Sequence, residues 1–363
     1  KTHPNIQRFE NTALNLYSDA AQEKGVSEIM TVREAVDKGI IAHEFLAYQV
    51  ALVNHFLQRV GIAPEKLRFR QHRKDEMAHY AIDCWDAEIL TERFGWVEVV
   101  GIADRTDYDL SAHANMSKTE LSIYSEYEQP RMVEKFVVKP NMGKMGPMFK
   151  GKAKGVAEAL KALPQEALEK EEIKVSVDGE EFTVPRELVE FTQETIKVSG
   201  ENIVPHVIEP SFGIDRILYS VMEHAYDEEI VPAKASEGDN EDEARIVLRF
   251  KKEVSPIKVA VLPLLTRREL IEPAKEIASR LRDKGLLAAY DDSGTIGRRY
   301  RRNDEIGTPY CITIDYDTLE DNTVTIRDRD SMQQVRASVD TIDDVLYELV
   351  YRAKKIETAG KPL

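Results

Sequence analysis

The sequence predicts an α+β fold whose last hundred or so residues form a compact α/β domain of their own. Three observations predict it. A short apolar strand runs into a helical pattern at 203–226. A hairpin is written in KVSVDGEEFTV, with Asp178-Gly179 as a two-residue turn. From Pro256 onward, strand-like and helix-like segments alternate at close spacing.

Taken in order, residues 1–20 read as a polar entry into a helix. In AHEFLAYQVALVNHFLQRV, 42–60, apolar residues recur at helical spacing, and Gly61 and Pro64 stop the pattern. DEMAHYAIDCWDAEILT, 75–91, is expected to be a second helix. After Gly95, WVEVVGIA (96–103) is a strand. The stretch 115–200 reads as an insertion with a Gly/Lys/Met-rich loop at 139–155, a helix near 153–163 and the hairpin. Ile214, Ile217, Leu218, Val221, Met222 and Ala225 form one apolar helical face. The acidic segment ASEGDNEDEA, 235–244, is a loop or boundary. IKVAVLPL, LLAAYDD, CITIDYD and TVTIRD are strands, joined by helices at RRELIEPAKEIASRLRDKG, about 296–306 and 341–354. The expected domains are therefore 1–254, carrying the insertion, and 255–363.

Composition narrows the function. The chain has 363 residues, 42% hydrophobic and 32% charged, which is ordinary for a globular protein. No run reaches the roughly 18 apolar residues of a membrane span. The two cysteines, Cys84 and Cys311, lie far apart, which excludes a disulfide framework or a cysteine-rich zinc site and suggests a reducing, cytoplasmic setting. The net charge of −15 disfavours indiscriminate nucleic-acid coating. Residues 255–363, with 18 Lys/Arg against 19 Asp/Glu, are nearly neutral, so a local basic patch there could still meet RNA. The first residue is Lys1 rather than methionine, and the chain is expected to begin inside a longer protein.

Several candidate sites can be weighed on residues alone. Gly146 to Lys152 fits G-x-x-x-x-G-K, but Ala153 stands where a phosphate loop needs Ser or Thr, and the nearest strand-like run ends near Val138 rather than directly before it; a mobile basic loop is the better reading. The eight histidines are scattered, with no H-E-x-x-H, and read as structural. Glu98 interrupts an apolar strand and is either on a solvent face or paired in a cleft. Asp104, Arg105, Asp107 and Asp109 cluster in the turn beyond it and suit a cation-binding pocket or simple capping. Arg216 stands in the first turn of a helix, where a cation opposes the dipole by about 0.3–1 kcal/mol. Either it is incidental or an anion sits before it. Helix N–H groups with an arginine make an anion site, and Glu209 beside them could meet a cation. Arg298, Arg299, Arg301 and Arg302 surround Tyr300 and could contact RNA phosphates, unless Asp304 and Glu305 neutralise them along the helix.

These motifs together resemble a known family. HVIEPSFGIDRILYSVMEHAY resembles motif 3 of the class II aminoacyl-tRNA synthetases in the form seen in glycyl-tRNA synthetases. LRFRQHRKDEMAHYAIDCWDAE and GWVEVVGIADRTDYDLSAHA look like the region before it in the eukaryotic and archaeal branch. DDSGTIGRRYRRNDEIGTPYCITIDYDT and TVTIRDRDSMQQVR are similar to that family's C-terminal anticodon-binding domain. The resemblance covers nearly the whole chain and is weakest over 115–200.

The resemblance implies an antiparallel sheet with flanking helices followed by the α/β anticodon-binding domain, and ATP-dependent ligation of glycine to tRNA(Gly). It assigns Glu209 to the ammonium group of glycine, with Ser211 and Gly213 beside it. It assigns Arg216 to the ATP phosphates, together with Gly213, and Glu98 to ATP and its Mg2+, with Val99 adjacent. Arg298, Arg299, Arg301 and Arg302 are expected to touch tRNA. A homodimer is implied for the full-length protein, and no membrane association. Motif 1 and motif 2 have no counterpart in this sequence, so the chain is expected to be an inactive C-terminal portion. The reading from another class is a non-catalytic, synthetase-like accessory protein that binds RNA or DNA.

Overall fold

The computed structural model describes residues 2–161, 163, 172–177, 179–231 and 243–363. The contacts divide the chain into two units, 1–106 with 206–363, and 107–205. The second is a wider stretch than the insertion expected at 115–200.

In the first unit, β1 (Ala13–Tyr17), α1 (Asp19–Lys24), β2 (Glu28–Thr31), α2 (Val32–Asp37) and α3 (Glu44–Val60) lead to β3 (Leu67–Gln71), β4 (Asp83–Thr91) and β5 (Gly95–Asp104). After the second unit come β10 (Ile208–Phe212), α7 (Ile214–Ala225), β11 (Tyr226–Val231) and β12 (Glu243–Leu248). Six strands form one sheet in the order β10-β5-β4-β3-β1-β2, antiparallel except for the parallel β1–β3 pair.

Two readings change here. Residues 1–20 hold a strand before a short helix, and 83–91 is a strand rather than the second half of a helix. Within 83–91, Asp83, Trp85, Ala87, Ile89 and Thr91 are buried at every second position. The helix-forming residues Ala, Glu and Met masked that period of two, and pairing with β3 and β5 overrides their propensity.

One face of the sheet is apolar and packs against helices. Leu14, Leu16, Leu67, Phe69, Trp85, Ala87, Ile89, Val100 and Ile102 meet Leu46, Val50, Val53 and Leu57 of α3 and Ile217 and Val221 of α7. Only Ile217, Val221 and Ala225 of the expected apolar face of α7 are buried; Ile214, Leu218 and Met222 are exposed. The opposite sheet face is polar.

The second unit comprises α4 (Tyr108–Ser117), β6 (Ile123–Pro140), α5 (Met142–Phe149), α6 (Ala153–Lys161), β7 (Glu172–Val177), β8 (Glu180–Pro185) and β9 (Val189–Ile203). β6 pairs with β9, and β7 with β8 as the expected hairpin; Asp178 of its turn lies outside the described residues. The G-x-x-x-x-G-K stretch is helical rather than a loop. Asn141 caps α5, and Met145, Val156, Ala157 and Leu160 pack with Val175 and Val184. Most of the acidic segment 235–244 also lies outside the described residues.

The C-terminal residues form β13 (Val259–Pro263), α8 (Arg268–Asp283), β14 (Ala288–Tyr290), α9 (Ile296–Glu305), β15 (Tyr310–Ile314), α10 (Tyr316–Asp321), β16 (Thr323–Asp328), β17 (Gln334–Ser338), α11 (Ile342–Tyr351) and β18 (Lys361–Pro362). Their sheet runs β14-β13-β15-β16-β17-β18 around a core of its own. A buried charge network ties this part to β11 and β12. Arg245, fully buried, bonds Glu229, donates to Asp304 at 2.9 Å and reaches the Arg329 carbonyl. Arg327 donates twice to the same Asp304, at 2.8 and 3.0 Å.

Candidate functional site

The polar face of the first sheet is organised in cross-strand rows, because directly paired residues point to the same side. One row runs Cys84, Ala103, Glu209, with His72 hydrogen-bonded beside Cys84. The next runs Arg70, Asp86, Gly101, Ser211. A third holds Arg68, Glu88 and Glu98.

Glu98 reaches this face through a bulge. Simple alternation would put it with Val100 and Ile102, in the core. The register shifts instead, so that Ala87 faces Val100 while Glu88 faces Glu98. The extra residue is Val99, and Glu98 is turned out to the polar face. Val99 is 2% exposed and its carbonyl accepts from Gly213 N–H at 2.8 Å. The Val99 side chain therefore lies in the core and not on the face where ATP was expected, and its carbonyl already has a donor.

Gly213 ends β10 and precedes α7. A Cβ there would come within 3.2 Å of the Val99 carbonyl, so the glycine permits the strand and helix to pack closely. Arg216, in the first turn of α7, donates to the Glu98 carbonyl at 2.9 Å and lies 3.7 Å from its carboxylate. More than half of each side chain is exposed, so the pair is weak and both groups remain available. Asp215, in the same turn, offsets the helix dipole that Arg216 opposes.

Glu209 is met by a cation. Arg105 Nη1 donates to Glu209 Oε2 at 2.6 Å, and the Arg105 guanidinium also lies over the Tyr80 ring. Ser211 is exposed on the same face. In the sequence Arg105 groups only with the acidic turn. The structure separates that group. Asp104 is fully buried, Asp107 accepts from Ser111 at 3.0 Å, and Asp109 stands in the first turn of α4.

Asp104 organises the end of β5. It accepts from His43 Nε2 at 2.6 Å, from His206 Nδ1 at 3.0 Å and from Thr106 N–H at 2.8 Å. His43 Nδ1 accepts from Leu46 N–H at the start of α3, so its Nε2 carries the proton. Burial opposes the charge on Asp104, yet the bonds from His43, Thr106 and His206 hold its carboxyl below the usual range. On the polar face, His72 Nε2 donates to Asp86 at 2.7 Å. Its bonds to Asp86 and Cys84 push the imidazole up to about 10. These two histidine–carboxylate groups joined residues far apart in sequence, and spacing gave no hint of them.

The arginine run of α9 does not form a single surface. Arg299 is 1% exposed and its guanidinium bonds the carbonyls of Pro263, Asp292 and Gly294. It is a structural strut and does not face solvent, contrary to the expected RNA contact. Arg302 donates to Asp291 at 2.5 Å, and Arg298 is exposed. Asp304 does not neutralise the run; it faces inward to Arg245 and Arg327.

Residues 258–349 match the family model described as an anticodon binding domain. Over all 363 residues the chain is 54% identical to a protein of Methanothrix thermoacetophila named glycine–tRNA ligase. Proteins of the same name from Archaeoglobus fulgidus and Methanocaldococcus jannaschii are 49% and 46% identical, over 99% and 88% of this chain. The chain spans 61% of the length of the first two and 54% of the third. No described helix is long and apolar enough to cross a membrane.

Proposed function

We propose that this chain, a relative of the glycine–tRNA ligases along its whole length, is the part of such an enzyme that carries the motif 3 side of the active site and the tRNA anticodon-binding domain. The observation that carries the reading is the alignment of Glu209, Ser211 and Glu98 on one open sheet face, with Arg216 against Glu98. On this reading residues 1–254 belong to the class II catalytic domain and 255–363 bind the anticodon arm.

Glycine would enter with its ammonium group against the Glu209 carboxylate, replacing Arg105 there, and with Ser211 beside it. Arg216 would lie along the ATP phosphates. Attack of the glycine carboxylate on the α-phosphate would give glycyl-adenylate and pyrophosphate, and the glycyl group would then pass to the 3′ end of tRNA(Gly). No protein nucleophile is needed; the residues orient the two reactants and offset developing charge. The Glu98 carboxylate, half exposed, is a hard oxygen donor that fits Mg2+ carried with ATP. Bound there, the ion would neutralise polyphosphate charge.

Of the arginine run, Arg298, Arg301 and Arg302 are proposed to contact tRNA, and Arg299 is not. The full-length protein would act in the cytoplasm as a homodimer. The motif 2 residues expected at the α-phosphate have no counterpart in this sequence, so the chain alone would be inactive. Glycine-dependent ATP–pyrophosphate exchange, measured on a protein extended to the length of the curated relatives, tests the reading. Exchange with glycine and not with alanine supports it. Absence of exchange, with tRNA or DNA binding retained, would favour a non-catalytic accessory protein.

A further inference from the structure

Gly101 stands in the middle of β5, paired on one side with Asp86 and on the other with Ser211. A glycine inside a central strand costs about 0.5–1 kcal/mol relative to alanine, so it calls for a reason. Backbone conformation does not supply one, because Gly101 is not among the residues with positive φ. Packing does not supply one either. A Cβ built on Gly101 meets nothing closer than Asp86 Oδ1 at 3.8 Å and Glu98 Oε1 at 3.9 Å, both ordinary contact distances. Gly213, by contrast, is explained by the Val99 carbonyl 3.2 Å away. What remains for Gly101 is the space above it, which marks close approach by something outside the sheet.

The surroundings say what that is. Glu209 lies in the row on one side of Gly101, next to Ala103, and Glu98 with Arg216 lies on the other. Successive same-face residues of a strand are about 6.6 Å apart. An amino acid whose ammonium group meets Glu209, and whose carboxylate must reach a phosphate held near Arg216, therefore has to cross the row of Asp86, Gly101 and Ser211. Asp86 forms one wall of that row. It is 7% exposed and is held in place by the bond from His72 at 2.7 Å.

We infer that Gly101 is a specificity-determining residue whose missing side chain forms the floor under the amino acid, with Asp86, positioned by His72, as its wall. The inference rests on the proposed glycine-activating function and adds to it a residue with no functional group of its own. It accounts for a glycine in a place where an alanine would fit the protein but not the protein with its ligand.

The test is Gly101→Ala in a protein extended to the length of the curated relatives, compared with its parent in glycine-dependent ATP–pyrophosphate exchange and in thermal melting. The variant should melt no lower than the parent, since the added methyl meets no protein atom closely. Its kcat/KM for glycine should fall by roughly tenfold or more, because misplacing the reactants by about an ångström has that scale of effect. Its KM for ATP should stay near that of the parent. An active parent with unchanged glycine kinetics in the variant overturns the inference and leaves the function standing. An inactive parent overturns both. A variant that melts well below its parent shows that packing, not ligand space, requires the glycine, and this also overturns the inference.

Discussion

Arg105, the residue just past β5, and Glu209 of the neighbouring edge strand β10 form an ion pair of 2.6 Å, and the Glu209 carboxylate thereby already holds a cation in the place proposed for an ammonium group. Glu209 is nearly half exposed, so the pair is worth at most about 1 kcal/mol and is easily exchanged. Glu209→Gln, in a protein extended to the length of the curated relatives, keeps the shape and removes the charge. Glycine activation should fall by about 2–4 kcal/mol in transition-state stabilisation. Unchanged exchange kinetics would remove Glu209 from the amino-acid site.

The arginines of α9 divide into two classes with opposite readouts. Arg299→Ala leaves three carbonyls without their donor and should destabilise the chain by about 3 kcal/mol or more. Replacing Arg298, Arg301 and Arg302 together should weaken tRNA binding and reduce the salt slope by roughly one unit per lost phosphate contact. Equal effects of both changes on melting and on RNA affinity would show that the buried and surface roles have been confused.

Asp304 is fully buried between Arg245 and Arg327. Asp304→Ala would take the carboxylate from buried Arg327 and leave Arg245 with Glu229 alone, and removal of one member of such a group costs about 3–5 kcal/mol. Urea unfolding measures this directly. A loss below about 1 kcal/mol would mean that water or Glu229, already paired with Arg245, takes over for both arginines.

His72 gives a pH dependence of definite sign. Its imidazole is raised to about 10 in the folded chain, by Asp86 first and Cys84 second. The folded state therefore holds a proton that the unfolded state releases near its ordinary value. The stabilisation is complete below about pH 6.5 and is lost as pH rises toward 10, with a slope of at most about 1.4 kcal/mol per unit. Melting of the parent chain and of His72→Gln across this window should converge at high pH. Parallel curves would show that His72 is neutral throughout.

The chain by itself should show no glycine-dependent exchange, because Arg216 is the one arginine assigned to the ATP phosphates in it. A several-kcal/mol share of transition-state stabilisation would come from groups outside it. Robust exchange by the purified 363 residues would overturn that assignment of roles.

Sequence by itself determined the features whose cause is local. The 3.6-residue period of 44–60, the strand-to-helix turn at Glu209 to Arg216, and the alternation after Pro256 were legible because each is written in neighbouring residues. So was the family resemblance, carried by contiguous motifs. Only tertiary structure decided the rest. Whether 83–91 is strand or helix depended on partners at 67–71 and 95–104. A one-residue bulge, invisible to alternation, turned Glu98 out and Val99 in. Arg299 and Arg298 are adjacent in one helix, yet one is buried against carbonyls of Pro263 and of the 292–294 loop and the other faces solvent. The physical reason is common to all three. Register and burial are set by contacts between residues far apart in the chain, and local pattern fixes neither.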